Sequence, residues 1–178
     1  MIEMANVFQV TFPANYRYLR VLNHIIVATM EIVAEGQEVQ TSSTIVGELS
    51  LAAHEICTNI IDHAYGGAEN KFITVDIAVN EELNELQVMI KDTGCPFNPL
   101  AVEWPPYDSW QVFTKSGTQY YQLIQIPEPD FEQERGRGLF LILALLEKVF
   151  YFSAEGKNCW CLVKSINDRS DEETVTES

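Results

Sequence analysis

The chain has 178 residues, 47% of them hydrophobic, 11% aromatic and 21% charged, which is enough apolar mass for a core and a length that fits one domain. Its 11 Lys and Arg stand against 26 Asp and Glu, and a formal net charge of −15 argues against a protein that coats nucleic-acid phosphates with a basic surface. The longest apolar run, Leu139 to Leu146, falls far short of the roughly 20 residues that cross a bilayer, and Met1-Ile2-Glu3-Met4 lacks the basic start of a signal peptide, so a soluble, cytoplasmic protein with no membrane partner is expected.

Val7 to Phe12 alternates as a first strand, which Pro13 ends. Leu19, Leu22, Ile26, Met30 and Val33 recur at helical spacing and predict a helix from about Tyr16 to Glu35, with Gly36 as its stop. A second helix is predicted from about Ile45 to Tyr65, closed by Gly66-Gly67 where the chain needs positive φ. Ile73, Val75, Ile77 and Val79, then Leu86, Val88 and Ile90, alternate with period two around a turn at Asn80–Glu85 and predict a hairpin.

Residues 98–134 are the least regular part. They hold five of the seven prolines, the aromatics Trp104, Tyr107, Trp110, Tyr120 and Tyr121, and one predicted strand, Tyr120 to Ile126. A connection of that length inside a compact domain is usually a lid or a binding loop. An apolar helix from Leu139 to about Lys148 follows, then strands at Val149–Ser153 and Trp160–Ile166 joined through Gly156-Lys157-Asn158. The tail 168–178 carries five acids and one base without apolar periodicity and is predicted to be disordered. Strands mostly follow strands, so the expected class is α+β: one domain over 1–167, a two-layer sandwich of a mixed, mostly antiparallel sheet with helices on one face.

Cys57, Cys95, Cys159 and Cys161 show no C-x-x-C spacing and read as reduced core residues. Three other segments could carry chemistry. On the second helix Glu55, Asn59 and Asp62/His63 fall at i, i+4 and i+7/i+8, on a stripe apart from the apolar Leu49, Ala53, Ile56 and Ile60. A carboxylate one turn before an amide suits a base working beside a hard metal ion, since oxygen ligands match Mg²⁺; a solvated helix face is the plain alternative. Asp92-Thr93-Gly94 leaves a strand, and a carboxylate there can accept a base's amino proton; as a bare pattern it is an ordinary turn. Gly136-Arg137-Gly138 opens a helix whose N-terminal N–H groups can hold an anion without net basic charge. No Walker-type phosphate loop is present, and this G-x-G neither reaches a third glycine nor opens a βαβ unit.

In that order the three segments resemble the GHKL ATPases, and within them the anti-sigma factor serine kinases of bacterial partner-switching systems. The residues that carry the likeness run from Glu55 to Tyr65, from Asp92 to Pro99, and from Glu134 to Ile142. The resemblance implies ATP and Mg²⁺ as cofactors, with Glu55 as general base, Asn59 as the Mg²⁺ ligand and His63 beside the phosphates. It implies that Asp92 takes the adenine amino group, that Gly94 lies beneath the base next to Phe97, and that Arg135, Gly136, Arg137, Gly138 and Leu139 wrap the phosphates. Residues 98–134 fall where the family's lid belongs. Many relatives carry a Thr on the last strand that supports the adenine-binding acid; here the stretch reads Gly156-Lys157-Asn158-Cys159-Trp160-Cys161, and the resemblance names no replacement.

The implied function is an ATP-dependent serine/threonine kinase that phosphorylates an anti-sigma-factor antagonist and sequesters a sigma factor, with a homodimer through the N-terminal strand and helix by analogy. The alternative is a non-catalytic ATP-binding switch that engages a phosphatase or sigma factor.

Overall fold

A computed structural model describes residues 8–35, 43–80, 82–102, 105–128 and 137–166. The alternating segments become β1 (Phe8–Pro13), β2 (Phe72–Asn80), β3 (Glu85–Asp92), β4 (Trp110–Lys115), β5 (Thr118–Leu123), β6 (Lys148–Ala154) and β7 (Lys157–Ser165). They form one sheet in the order β1-β2-β3-β7-β6-β5-β4, and every pairing is antiparallel. The helices are α1 (Leu19–Glu35), α2 (Ser43–Asn59) and α3 (Arg137–Leu145).

Period two sorts the side chains of each strand between the faces. In one row across the sheet, Val10, Val75, Ile90, Trp160, Tyr151, Tyr121 and Val112 are register partners from β1 to β4. Most of this row belongs to the buried core, together with Leu22 and Ile26 of α1, the predicted Leu49, Ala53 and Ile56 of α2, and Ile142 of α3. α2 is the central helix: it packs against α1, α3, β3 and β7, while α1 touches β2 and α3 touches β6. Lys164 of β7 fixes the end of α3, donating to the Leu145 carbonyl at 2.7 Å and pairing with Glu48 at 2.8 Å. A cation there matches the negative end of the helix.

The opposite face carries self-compensating charges and rings. Asp76 pairs with Lys91 and accepts from Gln9 Nε2, while Phe113 stacks on Tyr120 at 5.4 Å and Tyr120 meets Phe152 at 4.8 Å.

Two features depart from the predicted elements. Among the described residues of 98–134 there are two strands rather than one. β4 and β5 are joined by Ser116-Gly117, both at positive φ, the two-residue hairpin geometry that matches strand twist. Pairing of β5 with β6 makes this hairpin the sheet's edge. In addition, the second helix is not α-helical to Tyr65. Tyr65 N–H reaches back to Ile60 O at 2.9 Å, so Ile60–Ala64 form a π-helical turn. Such wide turns recur at functional sites. Predicted features at Gly36 and in the tail 168–178 lie outside the described residues.

Candidate functional site

Glu55 and Asn59 are one turn apart on α2, half-buried, and point to the start of α3. A methyl group on Gly138 would lie 2.9 Å from Glu55 Oε2 and 3.9 Å from Asn59 Nδ2, so this glycine is what allows a carboxylate and an amide to sit against the helix N-terminus. A carboxylate and an amide beside the N–H groups of a helix N-terminus form a set that suits Mg²⁺ and phosphate together. Among the described residues no cluster of three or more His, Cys, Asp or Glu could hold a metal alone. One carboxylate and one amide at a helix N-terminus fit an ion that takes most of its ligands from phosphate and water, as Mg²⁺ does.

Gly138→Ala tests this contact. The obstructing atom is the end of a flexible side chain, so Glu55 swings aside and stability changes by less than about 1 kcal/mol. Gly94→Ala is the contrast, because its methyl group would meet the Ala64 carbonyl oxygen at 2.4 Å. Backbone cannot swing aside, and the substitution costs about 1–3 kcal/mol. Chemical denaturation of the two variants checks the difference.

The second cluster lies at the end of β3. The antiparallel register places Asp92 beside Asn158 of β7. Asn158 Nδ2 donates to Asp92 Oδ1 at 2.8 Å and to Gly94 O at 3.2 Å, and Gly94 N–H donates to the same Asp92 oxygen at 2.8 Å. Asp92 is 4% exposed. Burial raises its pKa above the ordinary carboxylate value, and the donors Asn158 and Gly94 oppose that rise. Beneath them Phe97 packs against Trp110, Tyr151 and Trp160 at ring separations of 5.5–5.9 Å. Tyr151 hydroxyl accepts from Phe97 N–H at 2.9 Å and donates to Asn158 Oδ1 at 3.3 Å. Burial pushes the Tyr151 hydroxyl up to about 12, so it stays protonated.

A seam of backbone contacts joins the two clusters. Cys95 N–H donates to Ala64 O at 2.8 Å, and Thr93 N–H donates to the Tyr65 hydroxyl at 3.0 Å, which itself donates to Phe72 O at 2.6 Å. The π-helical turn that follows Asn59 is thus fastened to the loop that follows Asp92.

The predicted site residues are therefore placed as follows. Glu55, Asn59 and Gly138 come together, and so do Asp92, Gly94 and Phe97. Leu139 is buried in the core, which leaves only its backbone for a ligand. Arg137 opens α3 through its backbone, and Arg135 and Gly136 lie outside the described residues. His63 is exposed on the π-helical turn, and its neighbour Asp62 accepts from the Tyr16 hydroxyl. Asn158, Tyr151, Ala64 and Tyr65 were not predicted. The signal that finds Asn158 is the β3–β7 register, which places it opposite Asp92.

Cys57 and Cys159 are buried, whereas Cys95 is exposed and Cys161 half-buried rather than in the core. Burial raises the thiol pKa of Cys57, of Cys159 to about 12 and of Cys161 to about 11, which removes thiolate chemistry from all three. No described helix is long and apolar enough to cross a membrane.

Comparison with known proteins extends this picture. The model of the histidine kinase-like ATPase domain family matches residues 12–164, which takes in both clusters and nearly all of the sheet. The chain is 30% identical over 132 residues to the serine-protein kinase RsbW of Listeria monocytogenes serovar 1/2a, covering 72% of this chain and 71% of that one. It is similar to the same degree to the protein of that name from Listeria innocua serovar 6a. With a buried acid at the strand end, an acid-amide helix and a glycine-opened helix in one sheet-and-helix layer, the chain belongs to the histidine kinase-like ATPase domain family.

Proposed function

We propose that this protein is an ATP-dependent serine/threonine protein kinase that acts as an anti-sigma regulatory factor by phosphorylating an anti-sigma-factor antagonist. The observation that carries the reading is the placement of Glu55 and Asn59 against Gly138 at the α3 N-terminus, with the Asp92 cluster across the Ala64–Cys95 seam. The relatives named serine-protein kinase support the acceptor class.

In this reading Asp92 takes the adenine amino group above Gly94 and Phe97, and backbone N–H groups of residues 136–139, with Arg135 and Arg137, wrap the phosphates. Magnesium held by the Asn59 side-chain oxygen would neutralise phosphate charge. Glu55 takes the proton of the acceptor hydroxyl as its oxygen bonds to the γ-phosphorus and the bond to ADP breaks. His63 stands at the outer rim of the phosphate end. The nucleotide-binding unit spans 1–167, with 98–134 as its lid or insert and 168–178 as an acidic tail. The working compartment is the cytoplasm. The net charge of −15 suits a basic partner such as the DNA-binding surface of a sigma factor.

Calorimetric titration with Mg·ATP, followed by transfer of labelled γ-phosphate to a purified antagonist, tests the reading. Binding with transfer to a serine or threonine is the expected result; absence of ATP binding overturns it. A non-catalytic switch is the second reading, favoured by the exposed Tyr107 and Phe113 on the 98–134 segment. Binding without transfer to any antagonist selects it.

A further inference from the structure

Two donors, Asn158 Nδ2 and Gly94 N–H, converge on one oxygen of Asp92, Oδ1, and leave Oδ2 as the oxygen that neither reaches. What Asp92 offers a ligand depends on the state in which these neighbours hold it. As a carboxylate Oδ2 is an acceptor and suits an amino group, whereas a protonated carboxyl donates and suits a carbonyl.

The hydrogen-bond polarity of the cluster is fixed from both ends. At one end the Phe97 backbone N–H can only donate, so the Tyr151 oxygen accepts from it; with the Ser153 hydroxyl, which can itself donate, as its other side-chain neighbour, the Tyr151 hydrogen goes to Asn158 Oδ1. At the other end the Gly94 carbonyl can only accept, so the Asn158 amide presents its NH₂ to Gly94 and Asp92. Asn158 is 3% exposed and Tyr151 1%, so water does not compete for these positions. An amide turned the other way would set oxygen against the Asp92 carboxylate, and the pair would be relieved by protonating Asp92.

We propose that Tyr151 and Asn158 are positioning residues for nucleobase choice: the chain from Phe97 N–H through Tyr151 and Asn158 keeps Asp92 an acceptor, so the site takes a purine with an exocyclic amino group and turns away its 6-oxo counterpart. This rests on the nucleotide-binding reading above and deepens it.

Calorimetric titration of the wild type, Tyr151→Phe, Asn158→Asp and Asn158→Thr with Mg·ATP and Mg·ITP tests the proposal, because inosine carries oxygen where adenine carries the amino group. The wild type is expected to prefer ATP by about 100-fold or more, since a site built for a hydrogen bond leaves groups unpaired with the wrong partner. Tyr151→Phe lowers that preference by about tenfold, the worth of one hydrogen bond. Asn158→Asp sets an acceptor against Asp92, makes the two carboxyls share a proton and narrows the preference further. Asn158→Thr retains a donor and keeps most of it. A merely structural role would weaken both nucleotides alike, and an unchanged ATP/ITP ratio in Tyr151→Phe and Asn158→Asp overturns the proposal while leaving nucleotide binding in place. A wild type that binds neither nucleotide overturns both. Should Tyr151→Phe fail to fold in a melting experiment, the contrast between Asn158→Asp and Asn158→Thr decides.

Discussion

Replacing Glu55 with glutamine is expected to lower γ-phosphate transfer by about 10³-fold while ATP affinity stays within about threefold, because a positioned general base contributes roughly 10²–10⁴. Glutamine keeps the length and leaves the contact with Gly138 in place, so phosphate positioning survives and only the proton acceptor is lost. Single-turnover transfer measured beside calorimetric affinity separates the two effects. Transfer by Glu55→Gln at the wild-type rate removes Glu55 from the chemistry. Gly138→Ala reaches a similar end by another route: the base remains but is displaced, so its transfer rate also falls. Slow phosphate release without any partner, abolished by the same substitution, marks water as a second acceptor.

Replacing Asp92 with asparagine is expected to abolish measurable ATP binding, a loss of at least about 100-fold, and at the same time to raise the melting temperature of the nucleotide-free protein at neutral pH. Burial raises the Asp92 pKa in the folded chain, and the opposing donors Asn158 and Gly94 do not cancel the rise. A folded value above the unfolded one means that the stability linked to this group is fully present below the unfolded pKa and is lost as pH rises through the folded value. At neutral pH the charged, buried carboxylate is therefore destabilising, and asparagine removes the charge while keeping an oxygen for the two donors. The gain should shrink as the pH falls toward the range where wild-type Asp92 takes up its proton. Melting curves across that range check the sign; a variant less stable than wild type at neutral pH contradicts it. A group retained at a cost to the empty fold is what a binding site requires.

Much of this architecture is legible in local pattern. The stripe of Leu49, Ala53 and Ile56, the alternation of Ile73 to Val79, and the spacing of Glu55 and Asn59 are properties of neighbouring residues, and the structure places each on the predicted kind of element. What escaped the sequence depends on partners far along the chain. Trp110–Lys115 mixes polar and apolar residues, because as the edge strand it has only one paired side, and its Ser116-Gly117 turn is the one local sign of it. Asn158 is an unremarkable turn residue until β3 pairs with β7 and brings it to Asp92, 66 residues away. The π-helical turn is fastened to the Gly94 loop, whose Cys95 N–H donates to the Ala64 carbonyl, and no pattern within residues 60–64 encodes that contact.

The Ala64–Cys95 bond also makes the two ends of the site interdependent. The carbonyl that closes the helix of Glu55 and Asn59 is held by the loop of Asp92, so under the proposed function a group that orders the base end is expected to remove freedom from the phosphate end as well. Such coupling is reciprocal: an adenosine fragment that tightens pyrophosphate binding by some factor must be tightened by pyrophosphate by the same factor. For the nucleotide site proposed above, the seam predicts cooperativity within a single ligand, read as a rise in affinity for an adenosine fragment when pyrophosphate is added in a calorimetric titration.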